Sequence, residues 1–544
     1  METTMQSWRV WFLIAGLWAA YIAAGAVANL LPYESRPLFS LCLITVVSML
    51  ASAFIKMRAR LMISAVVAAT GLSLFVIFCW RRLFDPMAVV GNVPPSLEPL
   101  ALVVVGVINI VAAALVALAF SASDRVSRFR WIVFGATGFA LLAFCVMVSR
   151  WAEAANSPQS LLARVVMLEQ SADRNDWGAR QELSTDLAIL GRQREAREIP
   201  LFPDAVGNKL SDLPDKPDSE PPFVVTPWRD AITKISADQR LVLIMEAHTV
   251  SEHRAWIEQT LAPFRAAGFT DYFAETIDES GSTLKSRGYP TSNSGYYTAD
   301  PRFGNLVRTA IHLGFEIRGY DFGDGQFDSR EEYQATALAQ QFASRADCKM
   351  VVHAGHAHVF KHEVRNVGRY MAARLWEKTG IEPFAIWQLS NDLPNEVYRT
   401  LIRQIGPITE PVMLVPPPRH VADALFPESS VQPAVDAVVV HPPRLGQEPT
   451  DRRGAFTDKL TRVPGVWLGN QWPVVIAAIR DGETDNAIAL DQIMLRQGET
   501  EFELWLPQTD YTIRVWSLNG PLGVDADIKS TPVQIEMIQS GRSK

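Results

Sequence analysis

Cysteine is scarce and poorly placed for crosslinking. Of four in 544 residues, Cys42, Cys79 and Cys145 sit in apolar runs, which leaves Cys348 alone in the polar remainder. No intramolecular disulfide is available there, so stability has to come from a large core. Positive charge is not in excess either. With 51 Lys and Arg against 58 Asp and Glu, the net charge is −7 and the pI is near 5.8, which gives no electrostatic case for nucleic acid. Two hydrolase signatures are missing as well: there is no His-Glu-x-x-His and no Gly-x-Ser-x-Gly nucleophile elbow, which argues against a serine hydrolase. His248 and His253 are one residue too far apart for the inverted zinc motif His-x-x-Glu-His. Five positions turn a helix by about 500°, which would point the two imidazoles apart.

Charge is also absent from five stretches, Val10–Leu31, Pro37–Ile55, Leu61–Trp80, Leu100–Phe120 and Trp131–Val148. Each is near the ~20 residues that cross a bilayer as a helix, which predicts a multi-span α-helical membrane domain over residues 1–150. No Asp, Glu, Lys, Arg or His lies inside these runs, so they read as an anchor and not as a transport path. Arg9, Lys56, Arg58, Arg60, Arg125, Arg128 and Arg130 flank one side, against Arg36, Arg81 and Arg82 on the other. That asymmetry predicts a bacterial-type inner membrane protein with a cytoplasmic N-terminus. The chain from Trp151 onward would then be periplasmic or extracellular, with the lipid bilayer as a partner. A cleaved signal peptide would have a shorter apolar core than Val10–Leu31 and would not be followed by four more runs.

Beyond the apolar runs, residues 151–224 read as two amphipathic helices, with Ser157-Pro158 and Asp176 as starts, followed by a Pro-rich linker from Pro200 to Pro222. Over 225–450, short apolar runs alternate with helical patterns. Strands are expected at Leu241–Met245, Tyr272–Ala274, Phe315–Tyr320, Met350–Ala354, Phe384–Trp387, Val412–Val415 and Ala437–Val440. Helices are expected at Glu252–Ala267, Pro301–Leu313 and Ser329–Ala346. This predicts an α/β domain with a mainly parallel sheet. From 455 to 544 the period changes to two, as in Phe502, Leu504 and Leu506, and a small β module is expected to pack on the α/β domain.

Polar residues gather at one end of those strands. Glu246 and His248 close the first, Glu275 the second and Asp321 the third, and His356 and His358 follow the fourth. Ligand crevices of open α/β sheets lie beyond the carboxyl ends of the strands, so residues more than a hundred positions apart can converge there. Imidazole suits both metal ligation and proton transfer near neutral pH. Two mechanisms fit. In one, a divalent ion (Mn, Co or Zn) held by His248, His358, His356 and Asp321 activates water, with Glu246 or Glu275 as base or ligand-orienting carboxylate. In the other, a histidine paired with Glu246 or Glu275 activates water directly. Arg330, Glu331, His253 and Tyr296 are candidate substrate-binding residues. Asp321 equally fits a turn before Phe322-Gly323-Asp324-Gly325, and His253 equally fits a solvated helix face. Ser280–Asp300 is expected to be a loop covering the substrate.

Taken together, Met245-Glu246-Ala247-His248 with His253, Phe273-Ala274-Glu275, Gly319-Tyr320-Asp321, Ser329-Arg330-Glu331 and Gly355-His356-Ala357-His358 resemble one superfamily. It joins the erythromycin esterases, the ChaN-like haem-binding lipoproteins and the TraB/Tiki metalloproteases, and the resemblance covers about residues 225–445. The chain departs from it at Met245, where the superfamily carries Gly. Resemblance to the esterases implies hydrolysis by activated water with no obligatory metal, and resemblance to the Tiki side implies metal-dependent peptide hydrolysis. Resemblance to ChaN implies haem or iron handling without turnover. The expectation is a membrane-anchored hydrolase acting on an ester or peptide bond of a small-molecule or peptide substrate. The alternatives are a non-catalytic haem- or metal-binding module and an inactive membrane-tethered interaction module.

Overall fold

A strand buried on both faces sorts its side chains alternately to two cores, and Leu241–Glu246 does so here. Leu241, Leu243 and Met245 enter one apolar cluster, while Val242 and Ile244 enter another on the opposite face. The structure, a computed structural model, describes residues 156–171, 176–199, 224–321, 327–345, 347–364, 367–390, 396–417, 434–443, 460–530 and 533–539. All of these belong to one unit, Ala154–Lys544.

Helices α1 (Pro158–Ser171), α2 (Trp177–Ile189) and α3 (Gln193–Glu198) come first, followed by β1 (Val225–Pro227), α4 (Trp228–Asp238), β2 (Leu241–Glu246), α5 (Ser251–Ala266) and β3 (Asp271–Ala274). The chain continues through α6 (Gly281–Arg287), α7 (Pro301–His312), β4 (Glu316–Gly319), α8 (Phe327–Ser344) and β5 (Met350–Gly355). It then passes through α9 (Met371–Thr379), β6 (Phe384–Leu389), α10 (Glu396–Ile405), β7 (Val412–Leu414) and β8 (Ala437–Val440). The strand order is β1-β7-β8-β6-β2-β5-β3-β4. Helices α8, α9 and α10 cover one face through Leu338, Leu375 and Leu401, and α4, α5 and α7 cover the other through Ile232, Trp256 and Leu306. After β5 the chain crosses to β6 on the far side of β2, so the sheet reverses direction beside the ends of β2 and β5. That is where open α/β sheets form their crevice. The register places Glu246 beside Gly355, and Ala274 beside His353.

Two expectations about the fold need correcting. The sheet is mixed: β1 and β7 run antiparallel to their neighbours at one edge, while β2, β3, β4, β5, β6 and β8 pair in parallel. The chain reaches β7 from β6 through α10 and passes beyond β8, where β7 pairs antiparallel with both β8 and β1. The five apolar runs at 1–150 lie outside the described residues. Among the described residues no helix is long and apolar enough to cross a membrane; the longest, α8, carries Asp328, Arg330, Glu331 and Glu332 within its 18 residues. The fold class supported is therefore α/β with mixed sheets. No membrane-spanning helix is present among the described residues, against the multi-span domain expected from the sequence.

From Leu460 to Gln539 the chain forms two four-stranded sheets. Trp467, Leu504, Leu506 and Val515 are buried in one cluster, and the alternation of Phe502, Leu504 and Leu506 with exposed or half-buried neighbours matches a one-sided strand. This module packs on α7: Arg308 pairs with Glu483, and Asn305 donates to the Leu490 carbonyl. Helices α1 to α3 add Leu162, Val165 and Leu187 to a cluster shared with Val475 and Met494. Asp176 caps α2, its Oδ1 accepting from the Ala179 amide at 3.1 Å. Asp176→Ala is expected to cost about 1 kcal/mol in urea denaturation, and an unchanged midpoint would mean that water replaces the cap at no cost.

The Pro-rich linker at 200–222 lies outside the described residues. The segment Ser280–Asp300 is structured and reaches the crevice through Tyr297, which lines it. It contains α6, and its Ser292 amide bonds to Asn486 of the β module, which holds the segment in place.

Candidate active site

Glu246 ends β2 with a side chain 2 % exposed. A carboxylate in that position needs donors on every lone pair, and it has four. Arg254, one turn into α5, donates from Nε to Oε2 at 2.7 Å and from Nη2 to Oε1 at 2.8 Å. His353 Nε2 lies 2.8 Å from Oε2, and His248 Nδ1 lies 2.9 Å from Oε1. Burial alone would raise the pKa of this carboxyl. The Arg254 guanidinium and His353 outweigh that and hold it well below the ordinary carboxylate range. Being ionised it can only accept, so Nδ1 of His248 carries a proton, and in the neutral form of the ring Nε2 keeps the lone pair. The ring of His248 is clamped by Tyr297, stacked at 3.9 Å between centroids and 11° between planes.

Glu275 follows β3 and is shared by three partners. The Gly355 amide donates to Oε2 at 2.6 Å, Arg330 Nη2 donates to Oε1 at 2.7 Å, and His358 Nε2 lies 3.7 Å from Oε1. Burial would raise this carboxyl too, but His358, His248 and Arg330 bring it down to about 2. Gly355 is required by contact and not by its dihedral: a Cβ there would sit 2.4 Å from His248 Nε2 and 2.9 Å from Glu275 Oε2. His358, in the one-turn helix after β5, repeats the arrangement of His248, with Nδ1 held at 2.9 Å by Glu331 and Nε2 turned toward Glu275. Burial would lower the His358 pKa, yet the carboxylates of Glu275 and Glu331 prevail and raise it above the ordinary histidine value. Glu331 is itself fixed by the Met371 amide at 2.6 Å.

The structure thus brings Glu246, His248, Glu275, His358, Arg330 and Glu331 together, with Arg330 and Glu331 serving neighbouring side chains directly. Asp321 is occupied by Arg330, whose Nε donates to it at 3.0 Å. His356 lies at the exposed rim with φ at +22°, a left-handed conformation that costs a non-glycine residue energy and that gathers at functional sites. His253 and Tyr296 are elsewhere. His253 is buried under the site, accepting from the Ala247 amide at 3.0 Å and stacked on His441, and so it shapes the turn after β2. Tyr296 donates to Asp186 of α2 at 2.9 Å.

Arg254, His353 and Tyr297 were missed. A helix-face arginine, an in-strand histidine and one of two adjacent tyrosines give no distinguishing sequence signal. Beyond the two outer histidines stands a half-buried aromatic set: Phe360 stacks on Trp387 at 5.5 Å, and Tyr370 meets Phe360 and Phe327 edge-on.

The cleft between these groups is about 150 Å³ and is lined by Glu246, His248, Glu275, Tyr297, His353 and Gly355, among others. Among the described residues no group of three or more His, Cys, Asp or Glu side chains is arranged to hold a metal ion. The expected ligands are otherwise engaged, Asp321 by Arg330 and His358 Nδ1 by Glu331. Cys348 is no nucleophile for this cleft, since it lies near Asp271 at the other end of the sheet, where burial pushes its thiol up.

No protein-family model matches the chain, and no curated protein matches it. Among solved structures it is similar to RRSP, a MARTX toxin effector domain from Vibrio vulnificus CMCP6, at 16% identity and a TM-score of 0.25. That likeness covers 42% of this chain and 46% of the toxin domain, less than half of either.

Proposed function

We propose that the chain is a hydrolase that cleaves an ester or peptide bond with a water activated by histidine, of the metal-independent kind implied by its resemblance to the erythromycin esterases. One observation carries the reading. Two imidazoles each have Nδ1 tied to a buried carboxylate; His248 lines the cleft, His358 has its Nε2 3.7 Å from Glu275, and Glu275 lines the cleft beside His248. No serine or cysteine is among the residues that line the cleft, and the Oγ1 of Thr276, which does line it, accepts from the Tyr297 amide at 2.9 Å; in this reading the nucleophile is water. The Nε2 of His248 takes a proton as the water oxygen attacks the carbonyl carbon. His358, whose proton is held more firmly than that of an ordinary histidine, gives one to the departing alkoxide or amine. Two groups with different surroundings thereby take the base and acid roles.

The test is hydrolysis of a panel of nitrophenyl esters and fluorogenic peptides by the full chain and by His358→Ala, with and without chelator. The expected result is turnover that survives chelation and falls by about 10²-fold in the variant. Turnover restored only by added Mn, Co or Zn would replace this reading with the metal-dependent one. A haem absorbance band with no turnover would replace it with a haem binder.

A further inference from the structure

Glu246 is reached from behind by a second histidine that the reaction does not touch. His353 lies within β5, 1 % exposed, and Tyr272 lies in the neighbouring β3, two residues before Ala274, the register partner of His353, and is fully buried. Tyr272 Oη is 2.6 Å from His353 Nδ1, His353 Nε2 is 2.8 Å from Glu246 Oε2, and Glu246 Oε1 is 2.9 Å from His248 Nδ1. Phe303 stacks on the His353 ring at 5.0 Å and 12°, fixing its plane. From these distances we infer that Tyr272 and His353 are positioning residues, forming a hydrogen-bonded relay that sets the tautomer of His248 and so leaves its Nε2 bare for water.

The direction of each bond follows from donor and acceptor chemistry. A buried phenol keeps its proton, and burial next to Glu246 pushes the Tyr272 hydroxyl well up. Tyr272 therefore donates to Nδ1 of His353, and a neutral imidazole that accepts at Nδ1 must carry its proton at Nε2. That proton goes to Glu246, whose two oxygens are then filled by Arg254, His353 and His248. With all four positions taken, Glu246 cannot rotate, and its Oε1 holds His248 by Nδ1–H alone. If Tyr272 could not donate, His353 could place its proton on Nδ1 and turn a lone pair toward Glu246 Oε2, loosening the carboxylate. Hydrogen-bonded partners of this kind are worth about 10- to 100-fold in activity where they orient a functional imidazole.

The inference rests on the assignment of His248 as base, so the experiment reads the tautomer separately from turnover. In the full chain with ¹⁵N-labelled histidine, NMR reports which nitrogen of His248 carries the proton. The variants are Tyr272→Phe, His353→Gln, which keeps an N–H able to reach Glu246, and His353→Phe, which does not. Wild type and His353→Gln are expected to show the Nδ1–H form. Tyr272→Phe and His353→Phe should show a mixture, with kcat down about 10- to 100-fold and KM unchanged. A pure Nδ1–H form in folded Tyr272→Phe and His353→Phe would overturn the relay, whatever the activity. A tautomer shift in those variants with no hydrolysis by wild type would leave the relay standing and remove the hydrolase reading instead.

Discussion

Glu246→Leu is expected to lower the unfolding free energy by about 3–5 kcal/mol, the cost of stranding one member of a buried ion pair. Arg254 is 0 % exposed and gives Nε and Nη2 to Glu246; only Nη1 has another acidic partner, Asp300 at 3.0 Å. Removing the carboxylate also leaves the Nε2 proton of His353 unpaired in the core. The loss belongs to the broken pair and not to the charge itself. Glu246→Leu combined with Arg254→Met is therefore expected to recover most of it, because an apolar pair of similar volume is about as stable as the ion pair it replaces. Equilibrium urea denaturation of the three proteins decides the matter; a single variant within about 0.5 kcal/mol of wild type would show that water reaches Arg254. The pH dependence has a definite sign. The folded pKa of Glu246 is depressed, so its contribution is complete above the ordinary carboxylate pKa of ~4.3 and is lost as pH falls toward the depressed value. The gap between wild type and Glu246→Leu accordingly narrows in acid.

The strand ends were legible because their chemistry is written locally. Leu241–Met245 followed by Glu246, or Phe273–Ala274 followed by Glu275, is an apolar run ending in a charge, and in a parallel sheet all such ends emerge on one side. The same reasoning placed His358 and, through the first turn of α8, Arg330 and Glu331. What was not legible depends on where a side chain points. His353 sits inside an apolar strand and is needed there only because β5 lies between β2 and β3, a neighbour relation that sequence order hides. Tyr296 and Tyr297 are adjacent and chemically equal, and the short helix Tyr297–Ala299 sends one ring to His248 and the other to Asp186. His253 was misplaced for the same reason: its helix face is covered by His441, the residue after β8 and far away in the chain. The edge strand β1 and its neighbour β7 are only three residues each, too short for periodicity to reveal their direction.

Glu275→Gln is expected to reduce kcat by about 10³- to 10⁴-fold, at the upper end of what one acid–base group contributes, because several functions depend on its charge. With its pKa brought down to about 2, Glu275 is a carboxylate at neutral pH, so the amide changes charge and donor pattern at constant shape. The amide oxygen can still accept from Gly355 or from Arg330, but the site loses the anion that faces His358 across 3.7 Å. Glu275 is the largest of the influences that raise the His358 pKa, so the variant's histidine releases its proton at lower pH. If His358 is the acid that protonates the leaving group, activity falls as pH rises through its pKa, and this falling limb must move to lower pH in Glu275→Gln. If His358 is instead the base, the same drop in pKa moves the rising limb, and the pH optimum broadens toward acid. The pH–rate profile of the residual activity therefore assigns the role of His358 as well as testing Glu275. A profile unchanged in position, with only its height reduced, would mean that Glu275 acts on the substrate through Arg330 and not through the histidine.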